Sequence, residues 1–280
     1  MPVKAAFVGA CGATLSHVLA WTLLAGHKTA ARKLREACHY HFLDSQSPSV
    51  VRDASKLKNI LLSRGVTEEV MKSQLIIVEG SSRDVTAVVN LLSNDPELVF
   101  SGITSTPKFS YNPFRPIAMN DATITGDSAS AVVDALRRLK SNNSIINAPV
   151  FVPISSTGHS SHRDQPLILV PLYHWLLPVP QADTAVLEKV TRTAVTETDS
   201  PLGGYVMIRP PLLTHGRMKG IESIRVGWIW EDDVYRTDEE EQGVEIGYTI
   251  SRADLARWMF KELVEGDVQA WNGKCVNLTY

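Results

Sequence analysis

The stretch Phe7-Val8-Gly9-Ala10-Cys11-Gly12-Ala13-Thr14 decides the fold. It closes a short apolar run over residues 3–8, which reads as a strand, and opens onto residues 15–24, whose apolar side chains suit a buried helix. Strand, glycine turn and helix in that order form a phosphate-binding unit. The turn must be tight, the backbone must come close to a pyrophosphate, and the helix N-terminus must offer free N–H groups and the positive end of its dipole. Gly9 and Gly12 meet the first two needs. The third position of the G-x-x-G-x-x-G spacing is Leu15, where close packing of helix on strand usually selects glycine, so the sequence predicts a weakened site there.

The same rhythm continues outward. Residues 55–64 read as a helix stopped by Gly65, 74–78 as an apolar strand, 84–93 as a helix capped by Asp84, and 98–103 as another strand. Residues 128–140 form a predicted helix leading into a strand over 149–154, and Ser155-Ser156-Thr157-Gly158 leaves the carboxyl end of that strand. Further elements follow: a helix over 182–195, a strand over 205–209, a helix over 251–264 capped by Ser251, and a last strand over 275–279. Alternation of this kind predicts an α/β fold with a parallel sheet, whose ligands bind at the carboxyl edge of the strands. No internal repeat is present.

Composition narrows the function. The chain has 280 residues, 44% hydrophobic and 21% charged, which is ordinary for a protein with a proper core. Lys plus Arg total 28 against 30 Asp plus Glu, so a net charge of −2 gives no electrostatic footprint for nucleic acid or an anionic membrane. The most apolar later stretch, 167–179, is too short to span a bilayer and is broken by Pro171 and Pro178. Residues 1–10 lack the long apolar region of a secretory signal. Cys11, Cys38 and Cys275 are odd in number and without C-x-x-C spacing, which points to a reducing, cytoplasmic setting rather than a disulfide framework.

One segment breaks the rhythm. After Gly26-His27 a second strand should follow at once, yet residues 31–48 are basic, contain histidines and show no clear period. Excising them joins Ala30 to Ser49 and leaves a compact strand ending in Val50-Val51-Arg52, so the segment reads as an insertion or as a retained intron, which transcript sequencing distinguishes. Its Cys38, His39 and His41 have no second ligand pair nearby, and no metal is expected.

The opening glycine turn, Gly26-His27, Val51-Arg52-Asp53-Ala54-Ser55-Lys56-Leu57, Thr106-Pro107-Lys108-Phe109, Asn112-Pro113-Phe114-Arg115-Pro116, Ser155-Ser156-Thr157-Gly158, Pro180-Gln181-Ala182-Asp183, Arg209-Pro210 and Gly247-Tyr248-Thr249-Ile250-Ser251-Arg252 form an ordered series. In this series the chain resembles the NmrA-like, atypical short-chain dehydrogenase/reductase family, above all its fungal NAD(P)-binding members. The resemblance covers nearly the whole chain outside 31–48. It implies a Rossmann-like doubly wound parallel sheet over residues 1–160 and a smaller, mixed α/β, C-terminal part over 161–280 that closes the core and forms the substrate side. Carried over by position, Gly9, Ala10 and Gly12 would line the pyrophosphate, Ala13 and Thr14 would begin the helix over it, and Ser155 would join the cofactor site. Arg52, at the presumed end of the second strand, would meet the adenosine ribose. An arginine there favours the 2′-phosphate of NADP, with NAD as second choice, because guanidinium pairs bidentately with phosphate.

Ketone reduction by conventional short-chain dehydrogenases uses a Tyr acid and a Lys four residues later. Here Tyr111 is followed at that spacing by Arg115, Tyr173 by Leu177, Tyr205 by Arg209 and Tyr248 by Arg252. Where fungal relatives commonly carry Pro-His-Ala-Asp-Lys, this chain has Gln181 and Thr184 at the two basic positions, and Lys189 lies more than one helical turn beyond. The remaining candidates at the strand end are Ser156, to orient a carbonyl, and Tyr173, to donate a proton. His159 and His162 read as solvated loop residues. Two functions follow: an NADP-dependent oxidoreductase acting on a small organic substrate of the secondary-metabolite kind, or a non-catalytic, dinucleotide-sensing regulator of the NmrA type.

Overall fold

The computed structural model describes residues 3–34, 54–109, 111 and 116–280. The first half runs β1 (Lys4–Val8), α1 (Leu15–Leu24), β2 (Lys28–Leu34), α2 (Ala54–Ser63), α3 (Glu68–Gln74), β3 (Leu75–Gly80), α4 (Val85–Leu92), β4 (Leu98–Ser101), the hairpin β5 (Pro107–Phe109) and β6 (Ile117–Met119), α5 (Ile124–Ser141) and β7 (Val150–Pro153). The second half adds α6 (Val170–Leu176), α7 (Pro178–Val195), β8 (Gly204–Tyr205), β9 (Met207–Arg209), β10 (Leu212–Thr214), β11 (Arg225–Trp230), β12 (Thr249–Ser251), α8 (Arg252–Met259) and β13 (Lys274–Thr279).

Six strands make the main sheet in the order β3-β2-β1-β4-β7-β8, every pair parallel. The fold is the expected Rossmann-like one. A parallel sheet needs helices on both faces, and the strand residues alternate between them. Phe7, Phe100 and Val152 face α1 and α8, where Leu15, Leu19, Leu255 and Met259 complete one core. Val8, Val99 and Phe151 face α4, α5 and α7, where Leu91, Leu136 and Leu187 complete the other. The chain builds outward from β1 to β3 and returns to β4, so the strand order reverses between β1 and β4. Open α/β sheets bind ligands in the crevice at that reversal.

Local signals set many boundaries. Asp84 caps α4 by accepting from the N–H groups of Thr86 and Ala87 at 3.0 and 3.4 Å, and Ser251 caps α8 through the Asp254 N–H at 3.0 Å. The structure also departs from the sequence reading in two places. Residues 31–34, expected as the start of an insertion, continue β2, with Ala31 level with Phe7 on one side and Ile77 on the other. The predicted strand over 205–209 is two: β8 ends the main sheet, and β9 passes into a second sheet of order β11-β13-β9. Elements beyond residue 160 close this core: α7 packs on α5, β8 extends the main sheet and α8 lies on α1.

Candidate active site

The glycine turn sits at the reversal between β1 and β4. Gly9 takes a φ of +89°, open to glycine at little cost, and the Gly12 N–H closes the turn on the Gly9 carbonyl at 2.8 Å. A Cβ on Gly9 would lie 3.0 Å from Ile103 Cγ1 and 3.3 Å from the Gly102 carbonyl, so the ends of β1 and β4 meet backbone to backbone. Thr14 stands at the N-cap of α1 without a side-chain cap bond, and the first turn carries no acidic residue. That helix end therefore presents its positive dipole to the crevice unscreened by a carboxylate of its own. Leu15 does not spoil the packing. It is 1% exposed and fills the space that Gly102 leaves, where a Cβ would come within 2.8 Å of Leu15 Cγ and Cδ1. The close approach expected from a third glycine is supplied by a glycine on the opposite strand end.

The β7 edge forms the other wall. Its loop is pinned by Ser155 N–H to the Ile208 carbonyl at 2.7 Å and Thr157 N–H to the Pro210 carbonyl at 3.1 Å. Gly158, at φ +101°, donates its N–H to both carboxylate oxygens of the buried Asp164 at 2.9 and 3.0 Å. Gln181 closes the loop from α7, its Nε2 donating to the Thr157 carbonyl at 3.1 Å. Tyr173, from α6, comes close to the Thr157 side chain, which follows Ser156 on the strand-end loop. Burial, with nearby Asp164 adding to it, pushes the Tyr173 hydroxyl above its usual range, the opposite of what a neighbouring lysine would do.

Behind this wall lies a buried charge cluster. Arg209 is 0% exposed; its Nε and Nη2 donate to the two oxygens of Glu188 at 2.9 and 2.7 Å, and its Nη1 donates to Glu231 at 2.7 Å. The Ser155 hydroxyl donates to the same Glu188 oxygen at 2.5 Å. Burial alone would raise the Glu188 carboxyl, but the Arg209 hydrogen bonds and charge outweigh it and hold the group below its usual range. His159, read from sequence as solvated, packs against this cluster with its Nε2 buried and unpartnered, and burial lowers its basicity. His162 is exposed as expected.

No protein-family model matches the chain. It is 34% identical to reductase pytE from Aspergillus terreus over 288 residues, covering 98% of this chain and 97% of that protein. The chain belongs to the same oxidoreductase family. A second relative, oxidase pynE from Aspergillus niger, is 29% identical over 307 residues, again covering 98% of this chain and 97% of the relative. Among solved structures, a wide-type short-chain dehydrogenase/reductase from Veillonella parvula in complex with NADP superposes with a TM-score of 0.62 at 16% identity, covering 100% of this chain and 95% of that one. The anaerobilin reductase ChuY from Escherichia coli O157:H7 gives 0.54 at 12% identity, covering 99% and 97%. At such identities these two share the fold.

Within this family's fold the sequence candidates fall into three groups. Gly9, Ala10, Gly12, Ala13 and Thr14 lie together at the crevice, Ser156 follows β7, and Tyr173 of α6 comes close to the next residue, Thr157. Ser155 is drawn away, its hydroxyl committed to Glu188. Arg52 lies outside the described residues, and the end of β2 is formed by residues 31–34 instead. Thr184, at the position where the family resemblance leads one to expect lysine, returns its hydroxyl to the Pro180 carbonyl at 2.8 Å, and Lys189 is exposed. Sequence reading missed Glu188 and Glu231, and it quoted Asp183 without its role. The signal for the first two was Arg209 itself, a cation directly after the apolar Val206-Met207-Ile208, which demands buried carboxylates.

Proposed function

We propose that the protein is an NADP-dependent oxidoreductase of the NmrA-like, atypical short-chain dehydrogenase/reductase branch, reducing or oxidising a small organic substrate of the secondary-metabolite kind. The observation that carries this reading is the glycine turn and uncapped α1 N-terminus at the β1–β4 reversal, which fit a dinucleotide pyrophosphate. Gly9, Ala10 and Gly12 would line it, and Ala13 and Thr14 would offer N–H groups from the start of the helix. A bound nicotinamide supplies or accepts the hydride. Across the crevice Ser156 would orient the substrate oxygen, and Tyr173, neutral at any ordinary pH, would be the proton donor. Residues 165–182 carry no Asp, Glu, Lys or Arg, and Leu167, Ile168 and Trp175 are exposed there, which suits an apolar organic substrate on the side that bears Tyr173.

Titration of the purified chain with NADPH, NADH and their oxidised forms, followed by hydride-transfer assays over carbonyl substrates, tests the reading. NADPH should bind, and Gly12→Val, whose side chain would enter the turn 3.1 Å from the Gly9 carbonyl oxygen, should abolish binding. Unchanged affinity in that variant removes the site. A second reading, a dinucleotide-sensing regulator, is favoured by the upward shift of Tyr173 and the loss of lysine at position 184. Its signature is NADPH binding without turnover on any carbonyl tested.

A further inference from the structure

Arg64 follows α2 and lies against the first turn of α1. Its Nη2 donates to the Ser16 hydroxyl at 3.0 Å, and its Nη1 sits 2.8 Å from Nδ1 and 2.7 Å from Nε2 of His17. Its Nε is buried without a partner. No Asp or Glu forms an ion pair with it among the described residues. An imidazole accepts a hydrogen bond only when neutral, and burial, with the Arg64 charge adding to it, holds His17 down to about 4. Two neutral groups thus hold the guanidinium in place without cancelling its charge. A guanidinium does not give up its proton at ordinary pH, so among the described residues a half-buried cation with one unanswered N–H remains, a costly arrangement that a bound anion would relieve.

Its position says which anion. Ser16 and His17 are the second and third residues of α1, directly after the glycine turn, and Arg64 reaches them from just beyond α2, the helix that follows β2. In a Rossmann site the pyrophosphate lies on the turn, the nicotinamide lies toward β4, and the adenosine ribose lies toward β2. We propose that Arg64 is the residue that reads the 2′-phosphate of NADP, held ready for it by Ser16 and His17. This rests on the glycine turn being a dinucleotide site. It also assigns the NADP preference to a residue that neither the strand-end rule nor the family resemblance pointed to.

The test measures binding rather than turnover. The full-length chain and its Arg64→Ala and Arg64→Lys variants are titrated calorimetrically with NADPH, NADH, 2′,5′-ADP and 5′-AMP, with thermal melts to confirm folding. Arg64→Ala should lose about 10- to 100-fold in affinity for NADPH and 2′,5′-ADP, the worth of a charge-assisted fork, while NADH and 5′-AMP change by less than about 2-fold. Arg64→Lys, which keeps charge without the fork, should fall between. Equal losses for NADPH and NADH would place Arg64 on the pyrophosphate and overturn the assignment, as would no loss at all. Wild-type protein that binds none of the four ligands would overturn the dinucleotide site itself, a result distinct from binding NADPH and NADH alike. If Arg64→Ala does not fold, Arg64→Gln, which retains a donor toward Ser16, carries the same comparison.

Discussion

At Gly102 the missing side chain decides how α1 sits. Leu15 occupies the space a Cβ would need, so the two residues behave as one packing unit across the β1–β4 crevice. Gly102→Ala should destabilise the protein by about 1–3 kcal/mol through overpacking, and Leu15→Ala by about 2–5 kcal/mol through the cavity it leaves. Combined, they should cost less than their sum, because the alanine methyl at 102 enters the space vacated at 15. Denaturant unfolding of the two single variants and the double variant checks this, and strict additivity would show that the contact carries no coupling. The same scale explains why Leu15, which sequence pattern marks as a defect, is none: the pattern names the position where a glycine is customary, whereas packing only requires that one of the two facing residues be small.

Among the elements, α5 owes its start to α7. Thr123, at the N-cap of α5, forms no side-chain cap bond. The buried Asp183 of α7 takes over, accepting from the Thr125 and Gly126 N–H groups at 2.9 and 2.8 Å. Gly126 lets the helices close, since a Cβ there would meet Val186 Cγ1 at 2.6 Å. Asp183→Ala should therefore lower stability by about 1–3 kcal/mol, because two buried N–H groups lose their acceptor. That corresponds to roughly 2–12 °C in thermal midpoint for a chain of this size. Asp183→Asn should recover part of the loss, and a melt unchanged by either substitution would mean that other acceptors replace the carboxylate. In the sequence Asp183 stands out only as part of a family-like motif beside the missing lysine. Its structural duty is invisible there because its partners are 57 and 58 residues away.

For the molecule as a whole, the open question raised by the sequence is the slot beside β1. In the full chain residues 31–34 fill it, with Ala31 buried and paired on both sides. Deleting residues 31–48 places Ser49-Val50-Val51-Arg52 in the same slot and keeps a strand of seven residues, three of them (Thr29, Val50 and Val51) β-branched and well suited to it. Shortening the connection to α2 also lowers closure entropy, although by well under about 2 kcal/mol. The deletion variant should fold and melt at or above the full chain, as followed by circular dichroism. Loss of its cooperative melt would show that residues 31–34 cannot be replaced.

The sequence by itself determined the α/β class, the glycine turn, the caps at Asp84 and Ser251, and the strand-end serines, because each rests on periodicity or on contacts within four residues along the chain. It also carried the likeness that the 34% identity to reductase pytE bears out at the level of an oxidoreductase family. Tertiary structure alone decided what the long-range contacts decide. The end of β2 is settled by pairing with β1 and β3, and the strand over 205–209 is split because β8 and β9 meet different sheets. Ser155 is turned from the crevice toward Glu188, and Arg64 is brought to Ser16 across 48 residues. Burial and charge neighbourhood are properties of the packed chain, so no spacing rule applied to the sequence could have supplied them.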